Sequence, residues 1–345
     1  MPQKRKAYSI GWYDAGPARS LRPPYKARDW HISYGVHKFL KEDKKQLFRF
    51  INSGNFVANM HDYAEDRKGR TICATSPEII INAPDRISAQ RAANLIYAAF
   101  ILLTAELPYQ EGIDAIPLDP SDLEGILPED YDLALSERFS APGIAKSARC
   151  AVKATRKKIW THALIKHQVS LKISSMPAMD THPEYGNLYG IENDPASYVL
   201  FAQSIVTAFS VIEELGLEVR ASQRKPSLID GKWNPVVLSD LEGRLKNAGI
   251  DALGNMIWLL RGSPTRIERE RAAPTGSAAR WAYGPIRDRE IPVVNAIAYA
   301  SWLRSKVSAH RLSKLTASLT IYDVSNVQHL ARRLLMETLG FWKTD

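Results

Sequence analysis

The stretch Ala196–Val219, ASYVLFAQSIVTAFSVIEELGLEV, decides how the second half of this chain is built. Phe201, Ile205, Ala208, Phe209, Ile212, Leu215 and Val219 fall on one face at about 100° per residue, the period of an α-helix. A helix with so apolar a stripe needs other helices to cover it, and the neighbouring sequence supplies them. Downstream, VVLSDLEGRLKNAG (Val236–Gly249) reads as a shorter helix with Gly249 at its C-terminal cap. A further helix is expected from about Ile291 to Arg311. The last runs from Asn326 to Trp342, with Ser325 and Gln328 at the spacing of a capping box. Upstream, a basic segment from Pro142 to about Ser174 contains no proline or glycine after Gly143, so it reads as one long helix. The Pro-, His- and Gly-rich run Met176–Gly190 separates it from the helix first quoted.

The first part of the chain has a different texture. GRTICATSPEIIINAPD (Gly69–Asp85) holds two short β-prone runs around the turn signal Ser76-Pro77. Ser88 stands where an N-cap would precede a buried helix, Ala89 to Glu106. The acidic, proline-rich stretch Leu107–Asp132 reads as a linker or a wrap between domains. The expected fold class is therefore α+β: a mixed domain over residues 1–140, then an all-helical bundle of about five helices over 141–345. No internal repeat interrupts this plan.

Composition narrows the function classes. With 345 residues and 45% apolar content the chain can bury a large core without covalent staples. Cys73 and Cys150 lack a CxxC spacing and are too few for a disulfide framework, which fits a reducing, cytoplasmic setting. The basic start MPQKRKAYSIGWYD lacks the apolar run of a secretory signal, and no segment reaches the ~18 unbroken apolar residues of a membrane span, so no membrane partner is expected.

The net charge is +9 and the excess is local. Between Lys146 and Lys172 there is no acid, and Lys153, Arg156, Lys157 and Lys158 crowd its centre. A second cluster, Arg261–Arg289, includes Arg266, Arg269 and Arg271 among prolines and glycines. Such fields attract polyanions, and the guanidinium fork suits phosphate, so these residues are candidate RNA contacts. Solvated helix faces have the same composition. Trp233, Trp258, Trp281 and Tyr283, near the second cluster, could stack on bases or serve as core anchors. No metal site is expected, since His162 and His167 have the wrong helical phase to chelate and no carboxylate cluster stands on a strand. No cofactor is implied.

An arginine followed after five residues by histidine occurs at Arg156–His162 and at Arg304–His310. Position separates the two. Around Ala300, the residues Val293, Ala296, Ile297, Leu303 and Val307 form a buried stripe, and Arg304 falls about 40° from its centre, inside it. A charged group there needs a partner or a polar cleft. Arg156 sits among lysines and reads as solvated surface. Six residues along a helix put Arg304 and His310 roughly 9 Å apart and about 120° out of phase, so a two-fold dimer would bring such pairs together around one cleft.

These residues carry a resemblance. The segment RSKVSAH closing the penultimate helix, and the following YDVSNVQHLARRLLMETLGFW, resemble a HEPN domain over residues 196–342. That family comprises helical, usually dimeric proteins, many of them metal-independent endoribonucleases of bacterial defence and toxin systems. The resemblance implies RNA as substrate, a homodimer through the C-terminal helices, and an antitoxin or defence-operon partner. It carries the family's Arg and His onto Arg304 and His310. Ser305 stands where members often have Asn, Asp or His. An acid on an earlier helix often supports the family arginine; Glu213, bordering the apolar face, is the candidate, while Glu214 on the far side reads as solvated. In this scheme His310 moves a proton at an RNA 2′-hydroxyl or a leaving oxygen, Arg304 stabilises charge on the phosphate, and the products carry a 2′,3′-cyclic phosphate. The alternative is a non-catalytic RNA-binding or partner-binding module in which Arg304 is merely paired with an acid. A DNA-binding regulator is a third reading, but no helix-turn-helix accompanies the basic segment.

Overall fold

The structure is a computed structural model that describes residues 6–10, 25–27, 30–37, 58–59, 63–65, 71–73, 78–105, 107, 114–118, 123–124, 144–175, 195–230, 232–261, 286–309, 319 and 321–342. The protein is mixed α/β, and its chain divides into two compact units, Met1–Arg156 and Lys157–Asp345.

In the first unit the strands β1 (Lys6–Ile10), β2 (Tyr25–Lys26), β3 (His31–His37), β4 (Ala58–Asn59), β5 (Tyr63–Glu65), β6 (Thr71–Cys73) and β7 (Glu78–Ala83) precede helix α1 (Arg86–Thr104), followed by β8 (Ala115–Leu118), β9 (Leu123–Glu124) and helix α2 (Ile144–Ala154). An antiparallel sheet has the order β2-β3-β7-β1-β8, with β9 paired to β3; β4, β5 and β6 form a separate small sheet. Ile80 and Ile81 point to opposite faces of the central strand β7, and both are buried, as a strand covered on two sides requires. Helix α1 lies on β7, β1 and β8 and packs against α2. Its buried run from Ile96 to Leu103 makes it the core helix. It is also the one helix among the described residues whose length and apolarity match a membrane span.

Three expectations change here. Asp85, not Ser88, caps α1: its carboxylate accepts the Ser88 amide at 2.7 Å, so the helix starts a turn earlier. Hydrogen bonds donated by Ser88 hold the Asp85 carboxyl below its usual pKa. The proline-rich stretch read as a linker contributes β8 and β9. Pro117 is tolerated in β8 because this strand ends the sheet and need not donate on its outer side. The long basic helix is two helices, α2 and α3 (Lys158–Ser175), separated at residues 155–157, with α2 in the first unit.

The second unit contains α3, α4 (Pro195–Glu214), the hairpin β10 (Leu228–Ile229) and β11 (Lys232–Trp233), α5 (Pro235–Asn247), the hairpin β12 (Asn255–Arg261) and β13 (Ile286–Pro292), α6 (Val293–Ala309) and α7 (Ile321–Thr338). It is thus helical with two hairpins rather than all-helical. Helix α4, the stretch first quoted, packs against α3, α6 and α7, which explains why Phe201, Ile205, Ala208, Phe209 and Ile212 are all buried.

Between α3, α4 and α7 lies a buried polar knot. The Ser170 hydroxyl donates to the Ser204 carbonyl at 3.0 Å, and the Ser204 hydroxyl to the Ser170 carbonyl at 2.9 Å. Ser174 donates to the Leu171 carbonyl. All three hydroxyl oxygens are left as acceptors, so the Gln328 amide nitrogen must face them; it lies 2.9 Å from Ser174 Oγ, 3.0 Å from Ser204 Oγ and 3.1 Å from Ser170 Oγ. Gln328 is therefore not a capping residue: α7 begins at Ile321 and places it in the core.

On another face of α7, the Asn326 amide pairs with Leu259 of β12, accepting its N–H at 2.7 Å and donating to its carbonyl at 2.8 Å. About two turns further on, Arg333 donates to the Asn255 carbonyl at 2.6 Å and to Glu337 at 2.7 Å. Trp258 is buried edge-on to Tyr299, and half-buried Trp233 donates to Asn295, so both act here as anchors. Trp281 and Tyr283 lie outside the described residues.

Candidate active site

The site is assembled at the C-terminal end of α4. This helix stops through a left-handed glycine: Gly216 has φ +70°, its N–H donates to the Glu213 carbonyl, and Leu217 N–H reaches back to Ile212. The Arg244 guanidinium from α5 then donates to the carbonyls of Gly216 and Glu218 while pairing with Asp240 at 3.0 Å, which holds the exit of the chain. Glu213 and Glu214 are consequently the last two residues of α4, set about 100° apart on a firmly ended helix.

Glu213 faces α6. Its carboxylate lies 3.1 Å from Arg304 Nη2, and both side chains are about two-fifths exposed, at 39% and 42%. Most of the α6 stripe around Arg304 is as expected, with Val293, Ala296, Ile297, Ala300 and Leu303 buried, but Val307, in the last turn of the helix, is only half-buried. Arg304 therefore leaves the core at its edge. Its Nε is buried with no hydrogen-bond partner among the described residues. The planar group is thus held on one side by an acid, with a further donor unengaged. Ser305 is exposed and turns its hydroxyl back to the Trp302 carbonyl at 2.7 Å. His310 falls just past the end of α6, outside the described residues.

Glu214 faces α3 instead. It accepts from Lys166 Nζ at 2.7 Å and lies 3.7 Å from His162 Nδ1, too long for a hydrogen bond. At 20% exposure it is more enclosed than Glu213, which corrects its reading as a solvated residue. A wheel drawn for α4 alone could not show this, because Glu214's cover comes from a different helix. His162, which shares a motif with the surface residue Arg156, is itself exposed, and from the first turns of α3 it approaches Glu214 at the C-terminal end of α4.

No family model, curated protein or solved structure matches this chain.

Of the other candidate RNA contacts, Lys153, Arg156, Lys157 and Lys158 fall within six successive residues, where the chain passes from one unit to the other. Lys153 and Arg156 belong to the first unit, Lys157 and Lys158 to the second. Arg156, Lys157 and Lys158 are exposed and Lys153 is half-buried; the Lys157 ammonium sits 4.5 Å from the Trp160 ring centre. Arg266, Arg269 and Arg271 lie outside the described residues. Among the described residues no three His, Cys, Asp or Glu side chains are grouped as a metal would require. His162 is a surface residue, and His167 is buried in the bundle.

Proposed function

We propose that this protein is a metal-independent endoribonuclease of the HEPN type. It acts as a homodimer in the bacterial cytoplasm within a defence or toxin system, where an antitoxin or operon partner restrains it. The observation that carries the reading is the Arg304–Glu213 pair. The Arg304 guanidinium on α6 and the Glu213 carboxylate on α4 lie 3.1 Å apart, the pairing that the resemblance implies for the family arginine and its supporting acid. Glu213 orients the guanidinium at the helix edge, where its remaining N–H groups can meet the phosphate as negative charge builds in the transition state. His310, which follows Arg304 in the chain just beyond the last turn of α6, is the proton-transfer group.

A second reading draws on the same pair. An arginine satisfied by a glutamate at a core edge is also a structural contact, and Ser305 departs from the family pattern. In that case the helical unit binds RNA or a protein without cutting. The deciding experiment is cleavage of labelled single-stranded RNA in EDTA by wild type, Arg304→Ala and His310→Ala, with dimer state followed by light scattering. The nuclease reading expects cyclic-phosphate ends from wild type and none from folded, dimeric variants. Equal RNA binding by all three with no cleavage would leave the binding module in its place.

A further inference from the structure

We propose that the outward stripe of α3 formed by Lys158, His162 and Lys166 is the track along which a single-stranded RNA backbone reaches Arg304. The inference rests on the nuclease reading and assigns the path of its substrate. Helix α3 contains no Asp or Glu. Lys158, His162 and Lys166 recur at every fourth position, about 6 Å apart along the axis and turned by only about 40° per step, so they form one continuous line. Lys158 and His162 are exposed, and the Lys166 side chain is 36% exposed.

The stripe also has a destination. Its far end, Lys166, is fixed at 2.7 Å by Glu214, and the next residue back, Glu213, holds Arg304. Two adjacent carboxylates thus anchor the end of the lysine line and the candidate catalytic arginine on two flanks of one helix end. Each carboxylate is matched by a cation, so neither leaves an uncompensated negative charge to repel a phosphate. Lys158 makes no hydrogen bond or ion pair with a described residue, and its ammonium is free for an anion. The occupant is an extended polyanion rather than a compact one, because the cations are strung along a line instead of converging on a point.

The test uses the full-length protein and a fluorescent single-stranded RNA blocked by 2′-O-methyl groups, so binding is read without cleavage. Affinity is measured across salt concentration for wild type, Lys158→Gln, and Lys158→Gln combined with Lys166→Gln. Each neutralised phosphate contact on a single strand contributes about 0.7 to the slope of log affinity against log salt. The single variant should therefore lose about 0.7, and the double, which also uncovers the Glu214 carboxylate, should lose at least as much and bind more weakly than the single. Lys158→Gln touches no ion pair, so it reports even where the double variant is destabilised. Lys246→Gln, an exposed lysine on α5, should leave the slope unchanged. Unchanged slopes in both stripe variants overturn the proposal and leave the stripe to solvent or an acidic protein. Reduced slopes with no cleavage of unblocked RNA by wild type keep the track and discard the nuclease. Cleaving variants with wild-type slopes do the reverse.

Discussion

Buried in the second unit, the His167 ring is 1% exposed and its Nδ1 has no hydrogen-bond partner among the described residues. Burial, helped by the charges of Arg332 and His329, pushes its pKa down to about 3. The ordinary value near 6.5 applies once the chain unfolds, so between those two pH values the unfolded state binds the extra proton. The contribution to stability is complete above about pH 6.5 and is lost as pH falls towards 3, by up to about 1.4 kcal/mol per pH unit. Urea midpoints measured from pH 7 to pH 4 should fall more steeply for wild type than for His167→Leu; parallel profiles would refute the assignment. Cys150 makes a complementary probe in the first unit. Burial raises its thiol to about 12, so in a Cys73→Ser background it should resist a disulfide reagent at pH 8 until denaturant is added.

Helices and strands depend on partners the local sequence does not name. Gln328→Ala should destabilise the helical unit by about 1–3 kcal/mol, since a closed core loses the two amide N–H donors that three hydroxyl oxygens and the Ser170 carbonyl share. Thermal unfolding followed by circular dichroism measures this, and a shift within error would mean that the knot contributes little. Gly216→Ala should cost about 1 kcal/mol by forcing a side chain into left-handed backbone, and it should disturb the Glu213–Arg304 pair more than Gly249→Ala, which has the same strain at the end of α5. The stripe of α4 is legible in sequence because its partners only have to be apolar. Ser325 and Gln328 mislead because capping-box spacing is local, whereas Gln328 is placed by serines on α3 and α4. Ser88 misleads because Asp85 satisfies the same first turn with a stronger, charged acceptor.

At the scale of the molecule, each unit has its own core of buried side chains, and the two cores can be followed separately. Gln328→Ala is expected to leave Cys150 protected under native conditions; its exposure would show that the units unfold together. Mixed α/β class is readable from the change in pattern along the chain. The hairpin β12–β13 is not, because its strands meet across a long intervening segment and their pairing leaves no local mark. Of the site, Arg304 and Glu213 are legible from helical phase, while the tie from Glu214 to Lys166 requires knowing that α3 lies beside α4. The Asn326 amide has a consequence beyond packing. It occupies the outer N–H and C=O of Leu259, and Arg333 takes the carbonyl of Asn255, so two side chains of α7 stand in for a third strand. A strand from another copy finds those positions already filled. Helix α7 thereby obstructs, at Asn255 and Leu259, an edge that would otherwise recruit further chains into a growing sheet.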